Sequence, residues 1–321
     1  MTEPQPLIDV HAHFTTPSYI EKAKAAGNRE PDGMPEAYWP DWTPERHLQL
    51  MDEAGIGLTL LSLSSPGVHF GEDAAARSLA REMNDFAAEV STTHPDRFGY
   101  FAVLPLPDVE GSLAEVDRTF DTMGARGAIV KSNNHGLHLG AKRLSPVLTE
   151  LNRRSAVVLL HPTSCVGHEM LSDGRPQPMI EFLFESGRTV VDFILSGAAE
   201  AYPQIRLIVP HAGGVLPLLA ERVELFRSIA GEPADRRTVD QILGGFHFDL
   251  AGTPTVRQLA ALRTVAGPDR LLYGSDYAWT QYEQVLRATA ALDLLASDDE
   301  LKNWRDLTTN NARTLLAPEP H

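Results

Sequence analysis

Cysteine, basic charge and long apolar runs are all scarce in this chain. Cys165 is the only cysteine among 321 residues, so no internal disulfide can form and a reducing compartment is the simpler home. Lysine and arginine number 28 against 43 aspartates and glutamates, a formal net charge of −15. That balance disfavours nucleic acid and anionic membranes as partners, because an acidic surface repels both. It leaves room for a small anionic substrate, since a local cluster of metal and basic groups can outweigh the global field. No run of about 18 apolar residues occurs, the length a membrane-spanning helix needs. The opening MTEPQPLID lacks the basic-then-apolar pattern of an export signal. These absences predict a cytoplasmic protein with neither a membrane nor a nucleic-acid partner.

What the chain does contain is a rhythm. LIDVHAH (7–13), LTLLSLS (58–64), YFAVLPL (100–106), GAIVKSN (127–133), AVVLLHP (156–162), IRLIVPH (205–211), FHFDLAG (246–252) and LLYGSD (271–276) read as strands, with helical patterns between them. Several are nearly continuous in apolar residues, as expected of parallel strands covered on both faces. Eight such units predict an α/β fold, one distorted (β/α)8 TIM barrel spanning 1–321 as a single domain. An open doubly wound sheet would place a glycine-rich phosphate loop after the first strand, and HAHFTTP stands there instead. Residues 22–44, rich in tryptophan and proline towards their end, read as a long excursion after the first strand: an ordered lid over the barrel mouth or a plain surface loop.

The strand ends carry the chemistry. His11 and His13 lie two residues apart, so strand alternation points both imidazoles the same way. His161, His211 and Asp276 each close a later apolar run. In a parallel barrel all five converge on one mouth, where His11, His13, His161 and Asp276 suit a borderline divalent ion such as Zn2+ with an open position for water or substrate. His211 is then a base or an extra ligand. Elsewhere the plainer reading holds. His69, His94 and His247 read as structural histidines, His168 as a loop residue, Glu181 and Glu185 as solvated, and Cys165 has no histidine at a catalytic spacing. Asp249, closing the seventh run, either orients a ligand histidine or serves structure. Lys131 ends the fourth run, where a carbamylated lysine could bridge two metals; otherwise it is an ordinary amine.

HAH at 11–13, HPTS at 161–164, PHAGG at 210–214 and YGSD at 273–276, in that order, resemble the amidohydrolase superfamily. More narrowly they resemble the branch that contains aminocarboxymuconate semialdehyde, 6-methylsalicylate and gamma-resorcylate decarboxylases. RHLQLMDEAGIGLTLLSLSSPG (46–67) and LTTNNARTLL (307–316) are also similar to family segments. The resemblance implies a distorted TIM barrel assembled as a homodimer or larger oligomer. It implies metal ligation by His11, His13, His161 and Asp276, acid/base chemistry at His211 and Asp276, and zinc or else manganese with no organic cofactor. The implied activity is that of a lyase: non-oxidative decarboxylation of a small unsaturated or aromatic hydroxycarboxylic acid. A hydrolase of a lactone, ester or amide is the alternative, and a hydratase a more distant one. Two departures bear on substrate. Ala278 stands where the family often has proline after the Asp276–Tyr277 pair, and Lys131 differs from the decarboxylase members.

Overall fold

A computed structural model describes residues 5–233, 235–252, 255–295 and 301–317. The chain forms β1 (Leu7–His13), β2 (Ile56–Ser62), β3 (Phe98–Tyr100), β4 (Ala102–Val103), β5 (Ala128–Lys131), a small hairpin of β6 (Asn133–Asn134) and β7 (Leu137–His138), β8 (Val157–His161), β9 (Arg206–Val209), β10 (His247–Asp249) and β11 (Leu271–Leu272). Outside the hairpin every pairing is parallel and follows chain order: β1–β2–β3, then β4–β5–β8–β9–β10–β11. Phe101 alone separates β3 from β4, so the two are consecutive pieces of one barrel strand. The ring closes where Asp9 bridges Tyr273, just past β11, and the Val10 N–H donates to the Tyr273 carbonyl at 3.0 Å. The result is a distorted (β/α)8 barrel.

Local chemistry explains the alternation. Thr43 caps the helix Pro44–Ala54 by accepting from the Arg46 N–H, and Pro44 occupies its first turn, where no N–H is needed. Gly55 ends it at φ 74°, a left-handed conformation that a side chain disfavours, and hands the chain directly to Ile56. For that reason β2 starts two residues before the apolar run suggests. The long helix Asp73–Thr93 buries Ala76, Leu79, Ala80, Met83, Ala87 and Val90, the spacing of one face laid against the barrel.

Parallel strands put all their C-terminal ends at one mouth. His13, Lys131, His161 and Asp249 are the last residues of β1, β5, β8 and β10. His211 follows β9 by two residues, and Asp276 lies in the loop after β11. Over this mouth comes the stretch between the helices Pro17–Ala25 and Pro44–Ala54, which makes two single turns, Pro31–Gly33 and Glu36–Tyr38. Trp39 and Trp42 pack inward from it, Trp39 against Trp279 with ring centres 5.5 Å apart.

Candidate metal centre and active site

Three histidines at the mouth each have one ring nitrogen held from outside. The Nδ1–H of His11 donates to Asp249 Oδ2 at 2.9 Å. Ser62 gives its own hydroxyl hydrogen to the Ala12 carbonyl, so its oxygen is left to accept from His13 Nδ1 at 3.0 Å. His161 Nδ1 faces the Pro162 carbonyl at 2.7 Å and must donate there. These partners hold all three Nδ1 atoms and turn the three Nε2 atoms inward, where each can serve as a ligand once its ring is neutral. All three rings are buried.

The lone pairs converge. Nε2 of His11 and Nε2 of His13 are 3.1 Å apart, and Asp276 Oδ1 lies 3.6 and 3.2 Å from them. One donor atom from each of His11, His13, His161 and Asp276 falls within 4.8 Å of the others. Donors bonded to an ion at about 2.1 Å stand up to ~4.2 Å apart, so shifts of a few tenths of an ångström would close the set. A cation at that point would take the place of the second His11 proton and be ligated by all four donors. The donor set therefore fits one divalent metal ion.

Electrostatics point the same way. Burial works against charge on His11, but the Asp249, Asp276 and Asp9 carboxylates outweigh it and raise the imidazole to about 9. Burial and then the neighbouring histidines hold His13 low and His161 well below the usual histidine value. Burial would raise Asp276; the His13 and His211 rings beside it and the charge of His11 overcome it and keep the carboxylate well below its usual range. The site thus calls for positive charge while keeping two of its three imidazoles neutral. Beneath it, burial pushes the Asp9 carboxyl up to about 7, and Asp9 Oδ1 accepts from the His11 and Ser275 N–H groups.

His211 is placed differently. Its ring Nε2 is 3.7 Å from Asp276 Oδ2, on the oxygen not turned to His11 and His13. The backbone is clamped by the His211 N–H to Asp249 Oδ1 (3.0 Å) and by Gln258 Nε2 to the His211 carbonyl (2.6 Å), at a left-handed φ of 54°. Asp249 therefore orients a member of the four-residue set through one oxygen and the His211 backbone through the other. The plain structural alternative for Asp249 is too narrow.

The set opens into a cavity of about 340 Å³ whose walls include Met34, Tyr38, Phe182, Leu183 and Trp279, with His161, His211 and Asp276 on its polar side. Trp279 is fixed by its Nε1–H to Ser64 Oγ at 2.5 Å. Lys131 lines a neighbouring cavity instead, and among the described residues it joins no metal-ligand group. His69, His94, His168 and His247 also lie outside the set. Cys165 is buried, and burial raises its thiol, away from the reactive thiolate. Glu185 departs from its solvated reading: it is buried, paired with Arg188 and hydrogen-bonded by Asn133.

Residues 8–317 match the amidohydrolase family model. The chain belongs to the amidohydrolase family. Within the family it falls in the decarboxylase branch that its motifs resemble. It is 32% identical over 308 residues to a 6-methylsalicylic acid decarboxylase of Penicillium expansum, covering 93% of each chain. Against the corresponding enzyme of Aspergillus aculeatus it is 34% identical, over 88% of this chain and 87% of the other. Among solved structures, a 2,6-dihydroxybenzoate decarboxylase complexed with 2,6-dihydroxybenzoate superposes with a TM-score of 0.83 at 25% identity, over 97% of this chain and 99% of that one. The departure after Asp276 does reshape the wall, through Trp279, whereas Ser64 and Gln258 were not singled out in the sequence. Ser64 follows β2 and Gln258 lies on the helix Val256–Leu262, far apart in the chain and with no motif of their own.

Proposed function

We propose that this amidohydrolase is a metal-dependent, non-oxidative decarboxylase of small aromatic hydroxycarboxylic acids. His11, His13, His161 and Asp276 would hold one divalent ion, zinc by the nitrogen-rich donor set and manganese as the alternative. When bound, the ion supplies a positive anchor for a carboxylate and an adjacent oxygen, and withdraws charge from the scaffold that bears them. What supports decarboxylation over hydrolysis is identity above 30% to decarboxylases across about nine tenths of the chain.

The chain's own part is proton traffic and placement. Asp276 presents Oδ1 to the histidines and Oδ2 to His211, so Oδ2 is the atom that can relay a proton from His211 to the substrate. The carbon that bears the carboxylate takes that proton; its bond to the carboxylate then breaks, the electron pair returns to the ring, and CO2 leaves. His211, 3.7 Å from Oδ2, restores the proton or polarises a substrate oxygen. Trp279, Phe182 and Tyr38 line the cavity with aromatic surface against which a flat ring can pack. The 22–44 segment, which brings Met34 and Tyr38 to the cavity, acts as its cover within a single barrel domain.

We also place the enzyme in the cytoplasm as a homodimer. Support for a dimer is the exposure of Leu218, Leu225, Phe226 and Ile229 along the helix Leu216–Ile229 and of Phe184 on the neighbouring helix Glu181–Leu195. No helix among the described residues is long and apolar enough to cross a membrane.

The deciding experiment incubates metal-loaded protein with hydroxybenzoates and reads CO2 and product mass together. The expected result is a product lighter by one CO2, abolished in Asp276→Ala. Turnover of lactones or amides with gain of water, and none of the acids, would select hydrolysis instead.

A further inference from the structure

The catalytic cavity contains a second acid that the reaction above leaves idle. Asp32, on the Pro31–Gly33 turn, lines the same cavity as His161, His211 and Asp276 but stands outside the four-residue set. Its φ of 49° lies in the left-handed region, uncommon for a residue with a side chain and most tolerated by Asp and Asn. Three donors hold it there: Ser65 Oγ at 2.9 Å, Ser164 Oγ at 2.6 Å and the Ser164 N–H at 3.3 Å. All three bind Oδ1, so Oδ2 remains available to accept from a ligand. Burial raises the Asp32 carboxyl, and these donors oppose the rise. Behind it, in the neighbouring cavity, Lys131 adds a favourable positive field.

The second observation is what the cavity lacks. None of the described residues lining it is a lysine or an arginine. A first carboxylate can be neutralised at the four-residue set. A second would meet the Asp32 carboxylate and no cation, inside apolar walls that screen charge poorly.

We propose that Asp32 is a specificity-determining residue that restricts this site to monocarboxylates carrying a neutral hydrogen-bond donor, a hydroxyl or amino group, on the part of the scaffold away from the reacting carboxylate. The donor binds Oδ2 in a charge-assisted hydrogen bond. Dicarboxylates are rejected by the same oxygen. This rests on the decarboxylase reading above and narrows its substrate class.

The test uses metal-loaded wild type and Asp32→Asn, which keeps the shape and can accept the same three donors. Three 2-hydroxybenzoates that differ at a distal ring position, bearing hydrogen, hydroxyl or a second carboxylate, are compared by kcat and KM for CO2 release. Wild type should favour the hydroxyl over the hydrogen compound by about 10-fold, mainly in KM, and disfavour the dicarboxylate by about 100-fold. Asp32→Asn should remove most of both preferences, with metal content and thermal midpoint unchanged. Ser164→Ala, which removes one donor from Oδ1, should weaken them in part. A ranking preserved within about 2-fold in Asp32→Asn overturns the proposal. If wild type releases CO2 from none of the three, the decarboxylase reading has failed. Calorimetric binding of the same acids then decides the role of Asp32 by the same ranking.

Discussion

Two cavities open side by side at the C-terminal mouth of the barrel, both rich in histidine, and among the described residues only one carries a metal-ligand set. In the first, His11, His13 and His161 each give Nδ1–H to an outer acceptor and turn Nε2 inward. In the second, of about 630 Å³ and lined by His69, His135, His168 and Lys131, both nitrogens of His69 are engaged. Nε2 meets Asp73 at 2.8 Å, and Nδ1 receives His135 at 2.9 Å and the Gly71 N–H at 3.3 Å. Histidine count does not separate the two. What separates them is whether outer partners leave lone pairs free and aimed at one point.

The largest effect that follows is on metal content. His11→Ala combined with His13→Ala should empty the protein of its ion and abolish turnover, far beyond the ~10–100-fold loss that follows removal of an outer partner. His69→Ala should keep a full metal complement by elemental analysis and lose less than about 2-fold in kcat, because its ring is bound to Asp73 and His135 and not to the four-residue set. Equal metal loss in both variants would erase the distinction between the cavities. Next comes His211, whose Nε2 faces Asp276 Oδ2 and whose ring lies against that of His11, with centres 5.1 Å apart. His211→Ala should lower kcat by ~10²–10⁴-fold with metal retained. Metal loss there would make it a fifth ligand.

A smaller effect belongs to Asp249, the outer acceptor itself. Asp249→Asn weakens the hold on His11 Nδ1 and on the His211 N–H together. Metal affinity should fall ~10–100-fold, and titrating metal back should restore most of kcat. A kcat that stays low at saturating metal would mean that Asp249 acts chiefly through His211.

How much of this was legible in the sequence follows from where each residue sits. All eight barrel strands show as apolar runs, because a parallel strand covered on both faces must be apolar throughout. A polar residue ending such a run is conspicuous, which is why His11, His13, His161, His211 and Asp276 stand out and why the structure finds them together. Strand limits were less legible. The third strand breaks at Phe101 into two pieces beginning at Phe98, and β2 begins at Ile56, directly after a left-handed Gly55. Asp32 was illegible for a different reason. Its role depends on Ser65 and Ser164, brought to it across the mouth from loops 33 and 132 residues away. No local pattern encodes such a meeting. Glu185 misled because one face of its helix turns into Asn133 and His138 and not to solvent.

The smallest expected effect tests the second cavity by its stability. Lys131 has no hydrogen bond or ion pair among the described residues, and burial lowers its amine to about 8 from the ordinary 10.5, with the Asp32 charge pulling the other way. A lysine depressed in the folded state binds fewer protons there than in the unfolded chain between those two values. Stability contributed by this group therefore rises with pH from about 8 to about 10.5, and below about 8 the folded protein carries the full penalty of a buried charge. A shift of this size corresponds to about 3 kcal/mol at most. Lys131→Met, similar in length and without the charge, should stabilise the protein by roughly 1–3 kcal/mol at pH 7 in urea unfolding. That gain should shrink as pH rises towards the unfolded value. The first cavity should behave oppositely: there the missing cation is supplied from outside, so added metal, and not higher pH, should raise the unfolding midpoint. Absence of any Lys131→Met gain at pH 7 would show that the amine is paired in solution with a bound anion, and the second cavity would then be a ligand site in its own right.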